Sequence, residues 1–216
     1  MADLSDPDRA LALATVPPAT RQAVAVLWAL DERLAGIVAA TREPALGLMR
    51  LVWWRDALDA LAAGAPGGEP LLAACAAAGL DGPALAATAA GWEALLDNPE
   101  TGDAAVAAHA VERGERLFLL SGALIGAAHA EEERLRAAGN GWARVDCARR
   151  LGRTARAAAI RAGAVAALER AMAERWPRRL RPLGQLAALA LADCGGSPPA
   201  GRARALRVLR HQLTGR

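Results

Sequence analysis

The stretch that decides the fold is LWALDERLAGIVAATREPALGLMRLVWWRDALDAL, residues 27–61. Apolar residues recur in it, and just before it, at spacings of three and four, which is the period of one face of an α-helix. These positions are Val24, Leu27, Trp28, Leu48, Leu51, Val52 and Leu58. The only proline, Pro44, follows Glu43 and suits the first turn of a helix. The stretch therefore predicts two consecutive helices, one over about 18–40 and one from 43–44 to about 64.

The rest of the chain continues the pattern, with proline and glycine at expected helix ends. Asp6 and Pro7 predict the cap and first position of a short first helix. Further helices are predicted over 70–79, 83–97, 102–138, 142–176, 182–193 and 199–213, with a break near LSGAL and an end at GNG, residues 139–141. No strand alternation of useful length and no internal repeat is found. The fold class is therefore predicted to be all-α, a single domain over 1–216 built as a bundle of about eight or nine helices.

Charge is distributed unevenly along the chain. All 26 basic residues are arginine; residues 1–140 hold 10 Arg and 19 Asp and Glu, net −9, whereas residues 141–216 hold 16 Arg and 4 acids, net +12. A basic C-terminal third favours an anionic partner: a membrane surface, a diphosphate or the acidic face of another protein. Acidic helices packed beside basic ones within one fold would give the same imbalance, so both interpretations stay open.

Several classes of protein are disfavoured. Cys75, Cys147 and Cys194 have no disulfide or zinc spacing, the N-terminus MADLSDPDR lacks the apolar core of a secretory signal, and the run LFLLSGALIGAAHA is too short to cross a bilayer. Nucleic acid is not an expected partner, because the basic region lacks interleaved aromatics and a helix-turn-helix pattern. A cytoplasmic protein is expected, either free or peripheral at the inner face of a membrane.

Two blocks of sequence resemble the squalene/phytoene synthase family. The first is DPDRALALATVPPATRQAVAVLWALDERLAGIV with EPALGLMRLVWWRDALDAL, covering about residues 6–61, and the second is GWARVDCARRLGRTARAAAI within 142–176. The resemblance implies an isoprenoid-synthase-like helical bundle and head-to-head condensation of two prenyl diphosphates. In that family two aspartate-rich motifs face each other across a cavity and hold Mg²⁺ on the diphosphates, since carboxylates one helical turn apart share a face.

The family's aspartate positions are occupied by other residues in this chain. The resemblance places Ala35, Gly36 and Ala39 at the first motif, and Gly163 and Ala167 at acidic positions of the second. Alanine and glycine cannot ligate a metal. No catalytic residue, no metal site and no cofactor are therefore predicted.

Two residual acids keep an alternative open. Asp31 lies one turn before Ala35, and Asp56 follows Trp53 and Trp54. If other carboxylates converged on Asp31, the protein would be an active prenyl transferase with a rearranged, Mg²⁺-dependent site. A solvated helix surface is the competing interpretation for Asp56.

Two groups of arginines are candidate binding residues. Arg149, Arg153 and Arg156 would form a basic stripe on the helix of the second block, and could bind an anion directly if the stripe faced the cavity; an outward, solvated stripe is the alternative. Arg204, Arg207 and Arg210 alternate with leucines in GRARALRVLRHQL, which could lie on an anionic membrane, dock on a partner or pack as a terminal helix.

The pattern as a whole favours a binding protein over an enzyme. The block EPALGLMRLVWWRDAL resembles a branch of the family containing respiratory complex I assembly factors, which keep the fold without full aspartate sets. The expected function is non-catalytic assembly or scaffolding near a membrane, with a protein, an anionic membrane, or a prenyl or other anionic lipid as partner.

Overall fold

A computed structural model describes residues 4–64, 68–97, 101–195 and 201–216. Within these ranges the secondary structure is helical throughout, without strands, so the all-α prediction is confirmed. The α-helices are α1 (Pro7–Ala14), α2 (Pro18–Ala40), α3 (Pro44–Asp59), α4 (Pro70–Ala77), α5 (Gly82–Leu96), α6 (Asp103–His109), α7 (Arg116–Ile125), α8 (Glu132–Arg150), α9 (Ala155–Met172), α10 (Arg181–Asp193) and α11 (Gly201–Thr214). Short 3₁₀ segments cover Ala60–Ala63, His129–Glu131 and Arg178–Leu180, and a π-helical turn covers Ala110–Glu115.

The N-terminal helices follow the sequence signals closely. Asp6 caps α1 by accepting a hydrogen bond from the backbone N–H of Asp8 at 2.8 Å, and Pro7 takes the first helical position. Helix α2 spans the predicted residues, and α3 begins at Pro44 as expected. These boundaries were predictable because each depends on a local cap or proline.

The stretch predicted as a helix over 102–138 is divided close to the break predicted near LSGAL. Helix α7 ends at Ile125, and Gly126 after it adopts a left-handed conformation with φ +85°. The expected end at GNG is wrong, because Gly139 and Gly141 lie inside α8. A Cβ on Gly139 would lie 2.2 Å from the carbonyl oxygen of Gly114, and one on Gly141 would lie 2.4 Å from Leu168 Cγ. These glycines permit close helix packing rather than ending a helix.

The predicted helix over 142–176 is divided into α8 and α9. Gly152, with φ +66°, follows the end of α8, and Thr154 caps α9 by accepting a hydrogen bond from Ala157 N at 3.0 Å. The two helices then pack against each other as neighbours. The division explains why the bundle has more helices than the sequence pattern indicated.

The core lies where α2, α5, α7 and α8 meet the π-turn and α10. Trp28, Trp92, Trp142 and Trp176 are all buried in it. Trp28 donates its indole N–H to the hydroxyl of Ser121 at 2.9 Å, which satisfies both polar groups inside the core. The same central region also contains several charged side chains.

Candidate functional site

A cluster of charged side chains occupies the centre of the bundle. We call it the central cluster; its members are Arg9, Asp31, His109, Arg113 and Asp146. They come from α1, α2, α6, the π-turn and α8. All except Asp146 are buried, and Asp146 is largely so. A charged group in such a position requires a partner, and each member has one.

Asp31 accepts four hydrogen bonds, which matches the capacity of a carboxylate. Its Oδ1 accepts from Arg113 Nε at 2.8 Å and from the indole N–H of Trp92 at 3.0 Å. Its Oδ2 accepts from Arg113 Nη2 at 2.9 Å and from Arg9 Nη2. The bidentate pair with Arg113 is the strongest geometry that a carboxylate and a guanidinium can form.

Arg113 is fully buried and lies between two tryptophans. Its guanidinium carbon is 4.1 Å from the ring centroid of Trp92 and 4.5 Å from that of Trp142. The backbone comes close on one side, where a Cβ on Gly91 would lie 2.6 Å from Arg113 N. The stacking and the glycine contact fix the guanidinium on Asp31.

His109 and Asp146 use the remaining side of Arg113. Nη1 of Arg113 donates to Asp146 Oδ2 at 2.8 Å and lies 3.1 Å from His109 Nε2. His109 Nδ1 is 2.8 Å from the carbonyl oxygen of Gly91. The contacts assign a neutral imidazole that donates from Nδ1 and accepts at Nε2. Arg150 binds Asp146 from the outer side at 3.3 Å.

The cluster holds its charged groups in fixed protonation states. Burial alone would raise the pKa of Asp31, but the charges and hydrogen bonds of Arg113 and Arg9 outweigh it and hold that pKa well below its usual range. The pKa of Asp146 is lowered in the same way against its burial, mainly by Arg113 and Arg150. Burial and the neighbouring Arg113 charge lower the pKa of His109 to about 3. At neutral pH the two acids are therefore anions and the histidine is uncharged.

The geometry of the central cluster provides hydrogen bonding and charge compensation. Within residues 4–64, 68–97, 101–195 and 201–216, no group of three or more His, Cys, Asp or Glu side chains is placed to hold a metal ion. Asp56 is 70% exposed and its nearest cation is Arg55 at 3.5 Å. Glu112 pairs with Arg116, and Glu115 accepts from Asn140 at 2.8 Å. None of these acids converges on Asp31.

The three residues predicted at the first family motif differ in exposure. Ala35 is buried, whereas Gly36 and Ala39 are exposed. Gly36 opens onto a groove of about 690 Å³ between α2 and α3, which we call the outer groove. Its other lining residues are Arg33, Ile37, Ala40, Met49, Arg50, Trp53, Trp54 and Glu69. Of the three residues predicted at the first motif, Gly36 is thus the one that lines the outer groove.

The residues assigned to the second motif lie on α9 and outside the central cluster. Gly163 is exposed and Ala167 is half-buried. The residues of the second block that reach the centre are instead Trp142 and Asp146 on α8. The turn at Gly152 separates α8, which reaches the centre, from α9, which carries Gly163 and Ala167.

Arg149, Arg153 and Arg156 do not form one stripe. Arg149 ends α8 and binds Asp193 Oδ2 through Nε at 3.1 Å, Arg153 is exposed in the connecting turn, and Arg156 donates to the carbonyl oxygen of Thr101 at 2.6 Å. The prediction of a shared anion-binding face was wrong, since it required a continuous helix through 149–156.

Arg204 also differs from its predicted role as a surface cation. It donates to Asp8 Oδ1 and to Asp193 Oδ1, each at 2.7 Å, so it faces inward. Arg149 completes this group, and we call Asp8, Arg149, Asp193 and Arg204 the terminal cluster. Arg207 and Arg210 are exposed, as the sequence suggested.

Sequence reasoning missed the partners of Asp31. In the sequence, Arg113 lies with Glu112, Glu115 and Arg116 at spacings typical of charge pairs on a helix surface. Arg116 and Glu112 do form such a pair at 2.7 Å, but the π-turn directs Arg113 inward. Arg9 carried no local signal at all, because its contact with Asp31 joins residues far apart in the chain.

The comparison with protein families places this arrangement in context. A family model described as squalene/phytoene synthase matches residues 2–160. The chain belongs to the squalene/phytoene synthase family. The matched segment contains every residue of the central cluster and stops before Gly163 and Ala167. Searches of curated proteins and of solved structures returned no significant match.

Proposed function

We propose that this protein is a non-catalytic member of its family, which works by binding as an assembly or scaffold protein near a membrane. The observation that carries the proposal is the saturation of the Asp31 carboxylate. Arg9, Trp92 and Arg113 occupy its four acceptor positions. Mg²⁺ needs carboxylate oxygens with accessible lone pairs. Asp31 therefore serves packing and charge balance rather than a diphosphate.

The alternative is a prenyl transferase with a rearranged metal site. It would need a second free carboxylate beside Asp31. Asp146 is the carboxylate linked to Asp31 through Arg113, but Arg113 and Arg150 already bind it. A metal entering the centre would have to displace guanidinium groups that cannot lose their charge at physiological pH. The observed pairing favours the binding role.

The outer groove supports a protein partner. Its α3 wall comes from the block that resembles the complex I assembly factors, and it presents Met49 and a half-exposed Trp53 to solvent. Tryptophan and methionine are common at protein interfaces. Arg33 and Arg50 add positive charge to the lining. An amphipathic helix with an apolar stripe and flanking carboxylates is the occupant that this combination fits.

Turnover tests the non-catalytic role. Purified protein is incubated with farnesyl or geranylgeranyl diphosphate and Mg²⁺, and diphosphate release and hydrocarbon products are measured beside an active synthase. We expect no product above the buffer control. Sustained formation of a condensed hydrocarbon by the wild-type chain would overturn the proposal.

Complementation tests the assembly role. In source cells that lack the chain, we expect less assembled complex I on native gels, and restoration by the wild type. The Trp53→Ala/Met49→Ala variant should restore poorly. Leu11→Ala, which removes an exposed leucine on α1, is the matched control and should restore fully. Full restoration by the groove variant would remove the groove from the proposal.

A further inference from the structure

Helix α11 has one face held firmly by the rest of the fold. Arg204 binds Asp8 and Asp193, and Gln212 Nε2 donates to Thr15 Oγ1 at 2.9 Å. At the C-terminal end, Arg181 donates to the carbonyl oxygen of Gln212 and Arg175 to that of Thr214 at 2.6 Å. Positive charges at these carbonyls interact favourably with the negative end of the helix dipole. The inward face is thus held by polar contacts, and it also carries the buried His211.

The opposite face of α11 is apolar and exposed. Leu206, Leu209 and Leu213 have relative exposures of 65%, 54% and 68%. Their spacing of three and four residues aligns them along two helical turns. We call them the leucine stripe. A surface helix normally turns such a stripe toward the core. Helix α11 instead turns polar side chains inward and its leucines outward.

Arginines accompany the leucine stripe along its whole length. Arg202, Arg207, Arg210 and Arg216 are all exposed, and residues 201–216 contain no acid. Among the described contacts, no ion pair joins Arg202, Arg207 or Arg210 to a carboxylate. Arginine can place its stem along apolar surface while its charged end reaches a phosphate. The exposed surface therefore combines an apolar line with basic flanks.

We infer that α11 is an interfacial helix that docks on an anionic membrane surface. The leucine stripe enters the boundary between headgroups and acyl chains, and Arg202, Arg207 and Arg210 lie at the lipid phosphates. The inference gives a surface and a partner to the proposed membrane location and does not depend on the absence of catalysis. None of the described helices is long and apolar enough to span a bilayer, so the contact is peripheral.

Two other occupants fit the surface less well. A second copy of the chain would bring two sets of basic flanks together around paired stripes, and like charges oppose that contact. A protein interface would be expected to use aromatic anchors, because leucine is under-represented among interface hot spots. The stripe has no aromatic residue, whereas leucine and arginine together are typical of membrane-surface helices.

Vesicle binding tests the inference with the full chain. Co-sedimentation is measured with phosphatidylcholine vesicles containing phosphatidylglycerol, and with phosphatidylcholine alone. We expect binding only to the anionic vesicles, weakened by salt. Leu206→Gln/Leu209→Gln/Leu213→Gln should bind at least about tenfold more weakly. Leu46→Gln/Met49→Gln, which changes exposed apolar side chains on α3, is the control and should bind like the wild type.

The charge requirement is tested separately. Arg207→Gln/Arg210→Gln should lose about fivefold in affinity for each arginine removed. Arg33→Gln/Arg50→Gln changes the net charge equally at the outer groove and should have a smaller effect. Circular dichroism and urea unfolding confirm that each variant is folded. Absence of wild-type binding, or equal binding by the leucine variant, would overturn the inference.

A depth probe separates lipid contact from self-association. Cys75 and Cys147 are buried and Cys194 is half-buried, and burial raises the pKa of the Cys75 thiol to about 11. Leu209→Cys can therefore be labelled preferentially with an environment-sensitive dye. A blue shift with anionic vesicles supports insertion. A shift that depends on protein concentration without lipid would indicate dimers and contradict the inference. A negative vesicle result leaves the turnover prediction intact, and turnover would leave vesicle binding intact.

Discussion

The two sides of α2 have opposite surroundings, although the two residues compared lie within one and a half helical turns. Asp31 faces inward and is enclosed by two guanidiniums and an indole N–H. Gly36, about 140° further around the axis, faces outward onto the open outer groove. The inner side is buried and its charges are paired, whereas the outer side is open and combines apolar side chains with Arg33 and Arg50.

The difference shows how the bundle can keep charge at its centre without a bound ion. Arg9 and Arg113 balance Asp31 and Asp146, so the central cluster is neutral overall. A carboxylate on an open surface of α2 would be solvated by water, whereas the buried Asp31 depends on cations supplied by the protein. The charge of the centre is thus part of the fold.

The largest loss of stability is expected from a substitution of Asp31 on the inner side of α2. Asp31→Ala leaves two buried guanidiniums without their main partner, and we expect a loss of about 3–5 kcal/mol in the free energy of unfolding. Urea unfolding followed by circular dichroism measures it. Asp193→Asn, in the terminal cluster, is the control: Arg149 and Arg204 are partly exposed there and can regain water. A loss of only about 1–2 kcal/mol is expected for it. Equal losses would contradict the importance of burial.

A lower pH should destabilise the fold through His109 of the central cluster. His109 has a pKa of about 3 in the folded protein against 6.5 when unfolded, so the unfolded chain binds a proton first as pH falls. The contribution of His109 to the free energy of unfolding is fully present above pH 6.5. Below that pH it should fall by about 1.4 kcal/mol per pH unit. Buried His211, whose pKa is about 4, adds a similar slope down to that pH.

The acids of the central cluster contribute in a different window. Their lowered pKa values mean that their stabilisation is lost only below 3.8, the ordinary value for Asp. The pKa of Glu132 is also lowered, from an ordinary value of 4.5, so urea unfolding from pH 6.5 to about 5 isolates the histidines. His109→Gln should roughly halve the slope, whatever its effect at neutral pH. A flat wild-type profile in this window would count against the neutral imidazole.

The smallest change in stability is expected from a substitution of Gly36 on the outer side of α2. A Cβ on Gly36 would meet nothing within 4 Å, so Gly36→Ala should stabilise the protein by about 0.5–1 kcal/mol through helix propensity. Gly139→Ala is the matched contrast, because its Cβ would lie 2.2 Å from the Gly114 carbonyl oxygen. It should destabilise by about 1–3 kcal/mol. Thermal unfolding of both variants measures the difference, and destabilisation by Gly36→Ala would show that the outer groove is not open.

The sequence predicted those features that depend on neighbouring residues. The cap at Asp6, the start of α2 at Pro18 and the all-α class all follow from local patterns. The family resemblance of the first block was also informative, since the family match begins at residue 2. The helices of the second block were less predictable, because a short turn at Gly152 divides the stretch over 142–176 that the pattern predicts as one helix.

The central cluster was not predictable in the same way. Asp31 was noticed only as a possible metal ligand, and nothing near it in the sequence identified Arg9 or Arg113 as partners. Their contacts span 22 and 82 residues of chain. Arg204 was similarly assigned to the surface, because its partner Asp8 lies at the opposite end of the sequence. Pairings of this kind depend on tertiary packing rather than on propensity.

The π-turn makes the molecule sensitive to the length of its chain as well as to residue identity. From Ala105 to Gly122, buried pairs recur every four residues: 105–106, 109–110, 113–114, 117–118 and 121–122. An uninterrupted α-helix, at about 3.6 residues per turn, could not keep all five pairs on one side, and the wider turn at Ala110–Glu115 absorbs the excess. Loss of one residue from α7, between the π-turn and Ser121, would rotate Ser121 by about 100° and turn it away from Trp28. Loss of one residue from the π-turn itself would close it to a regular α-turn and leave Ser121 in place, so the position of a deletion along this stretch decides how much damage it does.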